Sequence, residues 1–380
     1  MISVVASYFN GRKYFRTGNR LRAARYALIL LMLGLLGPQL SLAQSIDRRV
    51  NLNVYGAIDY NLNHRNSMYN SFFTLGEQDF FVTSRISDRV SFLGETVVKF
   101  DAKTGTTFSA SIERAQVKYD YSTSGNHSIL IGKMHSPVNY WNDVYHHGRV
   151  FFPTIDRPIS FSHFVPLHSM GMRLQGQNIG KSNFGYDLMV ANGISSSDVS
   201  AVGSKMSYLA SVHIKPVEGM RIQAGYYFEH LDKNISGVHS GHSASNFSYK
   251  GPLDFNLLTL SFAYFNPKVE ILSETVLNAS RTDTLGVARN MSSYMYVGRR
   301  LNDNSIPFLV LDYISVSKAE LHVAHLDQFF MGLGYRHEFS SQLNLKVQAM
   351  RLTDINLHGS QLPGTELNKY SFKIQLAYAL

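Results

Sequence analysis

The stretch Met220–Glu229 reads MRIQAGYYFE and places an apolar side chain at every second position. The closing stretch Tyr370–Leu380, YSFKIQLAYAL, repeats that period. A period of two is typical of a β-strand with two unlike faces, because a helix would spread the same apolar residues around its circumference. Both stretches match the length of about 9 to 11 residues that a tilted strand needs to cross a bilayer. They predict membrane-spanning strands.

The same pattern recurs from residue 50 to the C-terminus and predicts an even number of strands. The sixteen predicted strands are 50–62, 77–86, 90–101, 106–120, 127–135, 168–177, 183–192, 205–215, 219–230, 255–265, 268–278, 293–301, 305–316, 329–338, 342–352 and 370–380. An even count places both ends of the strand region at the same rim.

The connections between these strands alternate in length. Every second connection is short and most of these are rich in Asn, Asp, Pro, Ser or Gly, as turns are. The others are long, except for the tight connection 102–105: they are 63–76, 136–167, 193–204, 231–254, 279–292, 317–328 and 353–369. An up-and-down antiparallel transmembrane β-barrel of about 16 strands has this rhythm, since one rim carries turns and the other carries loops. A soluble β-sandwich has no reason to collect its long loops at one end.

The composition is compatible with either architecture but excludes several kinds of site. Charged residues make up 17% and aromatic residues 12% of the chain, a balance that suits a barrel with an apolar outer band. The chain contains no cysteine, so disulfides, thiolate metal sites and thiol nucleophiles are excluded. No composition shift divides the strand region, which we interpret as one domain, residues 44–380.

Residues 1–43 are typical of an export signal. Six basic residues without an acidic one precede the apolar segment Tyr26–Gly37. Ser41-Leu42-Ala43 follows as a candidate cleavage site, with small residues at its first and third positions. The apolar segment is shorter than the roughly 20 residues of a membrane-spanning helix, so a permanent anchor is the weaker alternative. We expect cleavage after Ala43 and export through the periplasm to the outer membrane. Without those six residues the basic excess falls to three, so the charge gives no support for nucleic-acid binding.

Charged residues of the predicted strands lie opposite the apolar face, which predicts a polar lumen. A charge facing lipid would cost about 2 to 4 kcal/mol near the membrane midplane. The residues expected to face the lumen are Asp59, Arg173, Asp187, Lys215, Arg221, Glu229, Lys268, Glu270, Glu274, Arg336, Glu338, Lys346 and Lys373. They predict a water-filled passage, and the alternative is that they pair with one another across a plugged interior.

The longest connection, 136–167, contains aromatic and turn-forming residues that argue for order. It includes Tyr140-Trp141-Asn142, Tyr145-His146-His147-Gly148 and Thr154-Ile155-Asp156-Arg157-Pro158. These stretches, together with Gly76–Phe81, Ser91–Glu95 and Gly132–Pro137, resemble an outer-membrane porin family, the phosphate-selective porin-like group. The resemblance covers most of the chain in layout and is sharp over residues 76–192.

The resemblance implies a narrow point formed by this connection, because in general porins the third external loop folds into the barrel. The candidates for a constriction lining are His146, His147, Arg149, Asp156 and Arg157. It also implies passage of small hydrophilic solutes, outer-membrane lipid as surroundings, assembly machinery that reads the C-terminal strand, and a monomer or homotrimer. Two features depart from the pattern of this porin family. The chain ends on Leu380, not on an aromatic residue. The predicted lumen positions mix seven basic with six acidic residues, so their charge does not identify a preferred solute.

Other chemistries find little support in the sequence. His135, His146, His147, His163 and His168 invite a metal site, but adjacent histidines point apart in an extended segment and no His-x-x-x-His helix accompanies them, so loop packing is favoured. No Gly-x-Ser-x-Gly elbow is present, and we expect neither an enzyme nor a cofactor. The predicted function is a porin, and the alternative is a plugged barrel that acts as an adhesin or surface binding protein.

Overall fold

A computed structural model gives the structure of the chain over residues 50–65, 68–99, 108–194, 205–231, 252–320, 327–354 and 368–380. Sixteen strands lie in these ranges: β1 Val50–Arg65, β2 Met68–Arg85, β3 Val90–Lys99, β4 Ser109–Asp120, β5 His127–His135, β6 His168–Ile179, β7 Phe184–Ala191, β8 Ser207–Ile214, β9 Met220–Leu231, β10 Leu253–Phe265, β11 Val269–Thr282, β12 Gly286–Arg299, β13 Ser305–Ser315, β14 Asp327–Ser340, β15 Leu343–Asp354 and β16 Asn368–Ala379.

Each strand pairs antiparallel with its neighbours in sequence, and β1 pairs with β16, so the sheet is a closed barrel. Closure gives every strand a partner on both sides and leaves no edge. The backbones of Val54 and Leu380 exchange two hydrogen bonds of 3.0 and 2.8 Å beside the short turns. Both ends of the strand region therefore lie at one rim, called here the turn end, and the opposite rim is called the loop end. The prediction of a sixteen-stranded up-and-down barrel is confirmed.

The two faces of the sheet differ as the period of two predicts. On β9, Ile222 and Tyr226 are exposed on the outer face, while Gln223 and Glu229 are buried on the inner face. Phe73 and Leu333 show how apolar the outside is, with 77% and 64% of their surface exposed. An apolar outside around a polar inside is the arrangement that a barrel needs in lipid. No helix of the described residues is long and apolar enough to span a membrane.

Two of the predicted long connections are wrong. Residues 63–65 and 68–76 belong to β1 and β2, in which Asn63 pairs with Asn70, and residues 279–292 continue β11 and β12, in which Ala279 pairs with Arg289. The strands extend further than a bilayer crossing requires, and their polar residues look like loop residues in the sequence. Backbone pairing to the next strand tolerates them, because the interior of the barrel is polar. Lys215 and Lys268, expected in strands, lie in turns just beyond β8 and before β11.

Two bulges alter which side chains enter the barrel. In β2 the register shifts opposite Ala57, and in β4 Glu113 is an extra residue between the pairs Glu95 with Arg114 and Thr96 with Ile112. A bulge re-aims the residues around it. Across the β4 bulge, the exposed apolar positions change from even, as at Ile112, to odd, as at Val117. Glu113 is thereby fully buried.

Several expectations lie outside the described residues. They are the export signal 1–43 and the connection 102–105, together with most of the connections 193–204, 231–254 and 353–369 and half of the connection 317–328.

Candidate functional site

Residues 136–167, called here the inner loop, run through the interior of the barrel between β5 and β6. Backbone N–H groups of Trp141, Ile155 and Ile159 donate to side chains on three different strands: to Glu274 on β11 at 2.8 Å, to Gln348 on β15 at 3.0 Å and to Asp312 on β13 at 2.7 Å. On the opposite wall, Gly148 N–H donates to Asp79 on β2 at 3.0 Å. Contacts with walls this far apart in the strand order mean that the loop crosses the barrel.

Short local elements give the inner loop its path. Helix α1, Tyr140–Val144, begins after Asn139, whose side chain accepts a hydrogen bond from the N–H of Asn142 at 3.1 Å. This side-chain cap satisfies a helix N–H that has no partner within the helix. The backbone then turns at Gly148, whose φ of 79° is a conformation that side-chain-bearing residues rarely adopt. Single 3₁₀ turns follow at Arg149–Phe151 and Ile159–Ser162.

One side of the inner loop is apolar and packs on β9 to β13. Trp141, Phe161 and Phe164 join one buried cluster with inward-pointing residues of these strands, such as Tyr227 and Tyr294. The rings of Trp141 and Tyr294 meet edge to face with centroids 5.4 Å apart, a favoured aromatic geometry. This part of the interior is filled by side chains.

The other side of the inner loop is charged and packs on β2 to β6. Arg157 makes two hydrogen bonds to Glu77 of β2, at 3.1 and 2.7 Å, and donates to the carbonyl of His146 at 2.6 Å. A bidentate arginine–carboxylate pair fixes direction as well as distance. Burial lowers the pKa of His147 to about 3, although Glu77 opposes that shift, so this imidazole is neutral at pH 7.

Near the end of α1, Asp143 lies between two arginines of the wall. Arg221 on β9 contacts it at 2.7 Å and Arg173 on β6 at 3.4 Å. Burial by itself raises the pKa of Asp143, but the charges of Arg221 and Arg173 outweigh it and leave the pKa below its ordinary value. The carboxylate is therefore held in its ionised form and joins the loop to both strands.

The five predicted constriction residues do not share one environment. His146 and His147 are buried between the loop and the wall, with 1% and 6% of their surface exposed. Arg157 is paired with Glu77, and Arg149 lies 3.4 Å from the same carboxylate. Asp156 pairs with Lys373 of β16 at 2.5 Å, and the Asp156 side chain keeps 39% of its surface exposed. Of the five, Asp156 has the greatest access to water.

Apart from Lys215 and Lys268, the residues predicted to face the lumen belong to strands of the barrel, and most of their charges meet a partner. Arg336 makes two hydrogen bonds to Glu270, at 2.8 and 2.9 Å, and Glu338 contacts both Arg336 and Arg300. Further contacts of these residues include Arg173 with Asp187, Arg221 with Asp143, Glu229 with the N–H of Ile194, Glu274 with the N–H of Trp141, and Lys346 with the carbonyl of Arg149. The interior is thus neutralised by pairing to a large extent.

Two places beside the inner loop are accessible to solvent. At the turn end, a cavity of about 520 Å³ lies between the loop and β11 to β15, lined by Tyr145, Val150, Glu270, Arg300, Arg336 and Asn344. Toward the loop end, Asp156 and Lys373 are accessible. Between the two, Asn344 donates to the carbonyl of Val150 at 2.6 Å and Lys346 to that of Arg149 at 2.5 Å. These two bonds attach the loop to β15.

Several important residues were not predicted from the sequence. Glu77, Asp79, Glu95, Glu113 and Arg114 all point inward around the bulges of β2 and β4, where Arg114 pairs with Glu95 at 2.5 Å. For β4 the sequence did contain a sign of the bulge. The outward-facing apolar residues occupy even-numbered positions up to Ile112 and odd-numbered positions from Val117 onward. Such a change of phase is what a bulge produces in a sequence.

No protein-family model matches the chain, and no curated protein matches it in sequence. Solved structures match its backbone. The anion-selective porin from Comamonas acidovorans has a TM-score of 0.60 at 12% identity, over 87% of this chain and 100% of that one. The outer membrane channel DcaP of Acinetobacter baumannii has a TM-score of 0.57 at 12% identity, over 87% and 97%. The trimer form of OmpT, an outer membrane protein of Vibrio cholerae, has a TM-score of 0.56 at 12% identity, over 87% and 100%.

The fold is that of outer-membrane porins. At these identities the likeness concerns the course of the backbone, so the chemistry of the interior has to be argued from this chain's own residues. The phosphate-selective subtype implied by the sequence resemblance stays a prediction.

Proposed function

We propose that the chain is an outer-membrane channel through which small hydrophilic solutes or ions diffuse passively. The observation that carries this proposal is a closed sixteen-stranded barrel, apolar outside and polar inside, with a cavity and a solvent-accessible ion pair beside one inserted loop. The match to solved porins and channels supports it. Residues 1–43 would direct export, and the C-terminal strand β16 would be read by the barrel-assembly machinery. A homotrimer is proposed from the trimeric form of one matching structure.

The proposed passage runs beside β15 and β16. It begins at the Asp156–Lys373 pair, passes the segment Arg149–Val150 and ends in the cavity at the turn end. The narrowest point would lie where Asn344 and Lys346 attach the loop to β15. At such a point the bore sets the size limit, and nearby charges bias which ions enter. The buried rings of His146 and His147 are left out of this lining because they lie between the loop and the wall.

Conductance of the purified protein in a planar bilayer tests the proposal. A channel gives stepwise current, whereas a plugged barrel that works as an adhesin or surface binder gives none. Removal of one charge near the passage should change the ion preference: Asp156→Ala should shift the reversal potential toward anions and Arg149→Ala toward cations. Asp88→Ala, in a fully exposed turn, is the matched control and should leave it unchanged. Unchanged values for both loop variants would remove the inner loop from the passage.

A further inference from the structure

Four histidines from three parts of the chain meet between the inner loop and the barrel wall. His135 ends β5 and His168 begins β6, and the two are register partners. His146 and His147 approach them from the loop: the ring centroids of His135 and His146 are 3.8 Å apart, and those of His146 and His147 are 4.4 Å apart. The expectation that adjacent histidines point apart holds for an extended segment and does not apply here, because His146 and His147 lie in a bend. We call these four residues the histidine cluster.

The hydrogen bonds of Asn142 fix the proton on His146. The Nδ2 atom of Asn142 donates to the carbonyls of Ser136 and Leu167, at 2.7 and 2.8 Å, so its Oδ1 faces the imidazole. His146 Nδ1 lies 2.6 Å from that oxygen and must donate to it. In the neutral form of the ring, the Nε2 atom of His146 then carries the lone pair. A hydrogen bond at one ring nitrogen that leaves the other free of a proton is the usual support of a metal-binding histidine.

The donor atoms are close enough to converge on one ion. One ring nitrogen each from His135, His146 and His147 lies within 4.8 Å of the other two. A tetrahedral ion with metal–nitrogen distances of 2.0 to 2.1 Å needs its ligands about 3.3 Å apart, so the nitrogens have to approach one another by up to about 1.5 Å when the ion binds. Imidazole nitrogens suit Zn²⁺, Ni²⁺ and Cu²⁺ better than Ca²⁺ or Mg²⁺.

Carboxylates around the cluster carry negative charge, part of which Arg114 and Arg157 already balance through their pairs with Glu95 and Glu77. Glu95 Oε2 lies 3.6 Å from the Nε2 of His135, and Glu77 Oε2 lies 3.5 Å from the Nδ1 of His147. Asp79 and Glu95 are 0% and 1% exposed, and within the described part of the chain one oxygen of each accepts no hydrogen bond. A buried carboxylate oxygen without a hydrogen bond is costly, and a nearby cation reduces that cost.

We propose that His135, His146 and His147 bind one divalent transition-metal ion of the zinc, nickel or copper type. Two ligands come from the inner loop and one from β5, so the bound ion would fasten the loop to the barrel wall. This site requires only the folded barrel. It would exist whether or not the barrel conducts. A negative result for metal binding would therefore not count against the proposed channel, and an absence of conductance would not count against the metal site.

Binding of Zn²⁺ to the purified, detergent-solubilised protein tests the site by calorimetry. Because the ligands are buried, Zn²⁺ is added both to the folded protein and during refolding from denaturant. We expect one equivalent to bind, with affinity reduced at least roughly tenfold by His135→Ala and by His146→Ala. His127→Ala is the matched control, since His127 lies on the same strand at the turn end and contacts Tyr186 instead; its affinity should equal that of the wild type.

Two spectroscopic measurements on the wild type avoid any folding defect of the variants. Trp141 is the only tryptophan of the chain and precedes Asn142, so Cu²⁺ at the cluster should quench its fluorescence with a one-to-one endpoint. Co²⁺ should give the intense visible bands of a tetrahedral site. The proposal is overturned by the absence of stoichiometric Zn²⁺ binding, by a Co²⁺ spectrum identical to that of the free aqueous ion, or by binding that survives in the double variant His135→Ala/His146→Ala.

Discussion

The inner loop has two sides that are held in different ways. Toward β9 to β13 it buries Trp141, Phe161 and Phe164 in one apolar cluster. Toward β2 to β6 it is held by ion pairs such as Arg157 with Glu77, and by the histidine cluster. Apolar burial is non-directional and insensitive to pH, whereas a buried ion pair depends on geometry and on protonation. This difference indicates that the apolar contacts contribute most of the stability of the inner loop, whereas the charged contacts fix its position in the barrel.

The apolar side should show the largest effect when it is broken. Phe164→Ala removes a ring that is 2% exposed, and a buried Phe→Ala change typically costs about 3 to 5 kcal/mol. We expect the urea midpoint for detachment of the loop, followed by Trp141 fluorescence, to fall by a corresponding amount. Phe151→Ala is the same chemical change at a ring that is 53% exposed and packs edge to face on Tyr55, so its cost should stay within about 1.5 kcal/mol. Equal effects would show that burial does not set the loop's stability.

The charged side should respond less strongly to the loss of one partner. Arg157→Ala leaves Glu77 buried, and such a loss costs about 3 kcal/mol, at the lower end of the usual range because Arg149 and Lys99 remain within 3.4 and 3.8 Å. The same urea titration measures it. The control Arg85→Ala removes a pair whose side chains are 69% and 100% exposed, and it should leave the midpoint unchanged. A loss as small as that of the control would place Arg157 outside the contacts that hold the loop.

The smallest effect expected is a pH dependence confined to the charged side. The pKa of Asp143 is lowered in the folded state by Arg221 and Arg173, against the effect of burial. Its ion pairs therefore contribute stability above the unfolded pKa of about 4, and this contribution is lost as the pH falls through the folded value. The loop's urea midpoint should decrease on acidification below that range.

The matched variant for this prediction is Asp143→Asn, which cannot ionise. Its midpoint should already be lower at neutral pH and should depend less on pH than that of the wild type. Because other carboxylates also protonate in acid, only the difference between the two pH profiles reports on Asp143. Parallel profiles would contradict the assignment of that dependence to its pairs with Arg173 and Arg221.

The sequence predicted the barrel well because its signals are local. The alternation in Met220–Glu229 and Tyr370–Leu380 depends on each strand alone, and both stretches are strands of the barrel with the expected faces. The prediction of loops at 63–76 and 279–292 was wrong because Asn, Ser and Arg resemble loop residues when the pairing partner of a strand is unknown. The bulge at Glu113 was missed although a change of phase marks it.

Periodicity and composition were enough to predict sixteen two-faced strands and an ordered connection at residues 136–167. The contacts of that connection could be found only in the folded barrel. It brings His135 against His146 and Glu77 against Arg157, residues separated by 11 and 80 positions. The two kinds of feature depend on interactions of different range in the sequence. The period of a strand is set by neighbouring residues along the chain. Pairing across a lumen depends on closure of the whole barrel and on the bulges that orient each side chain.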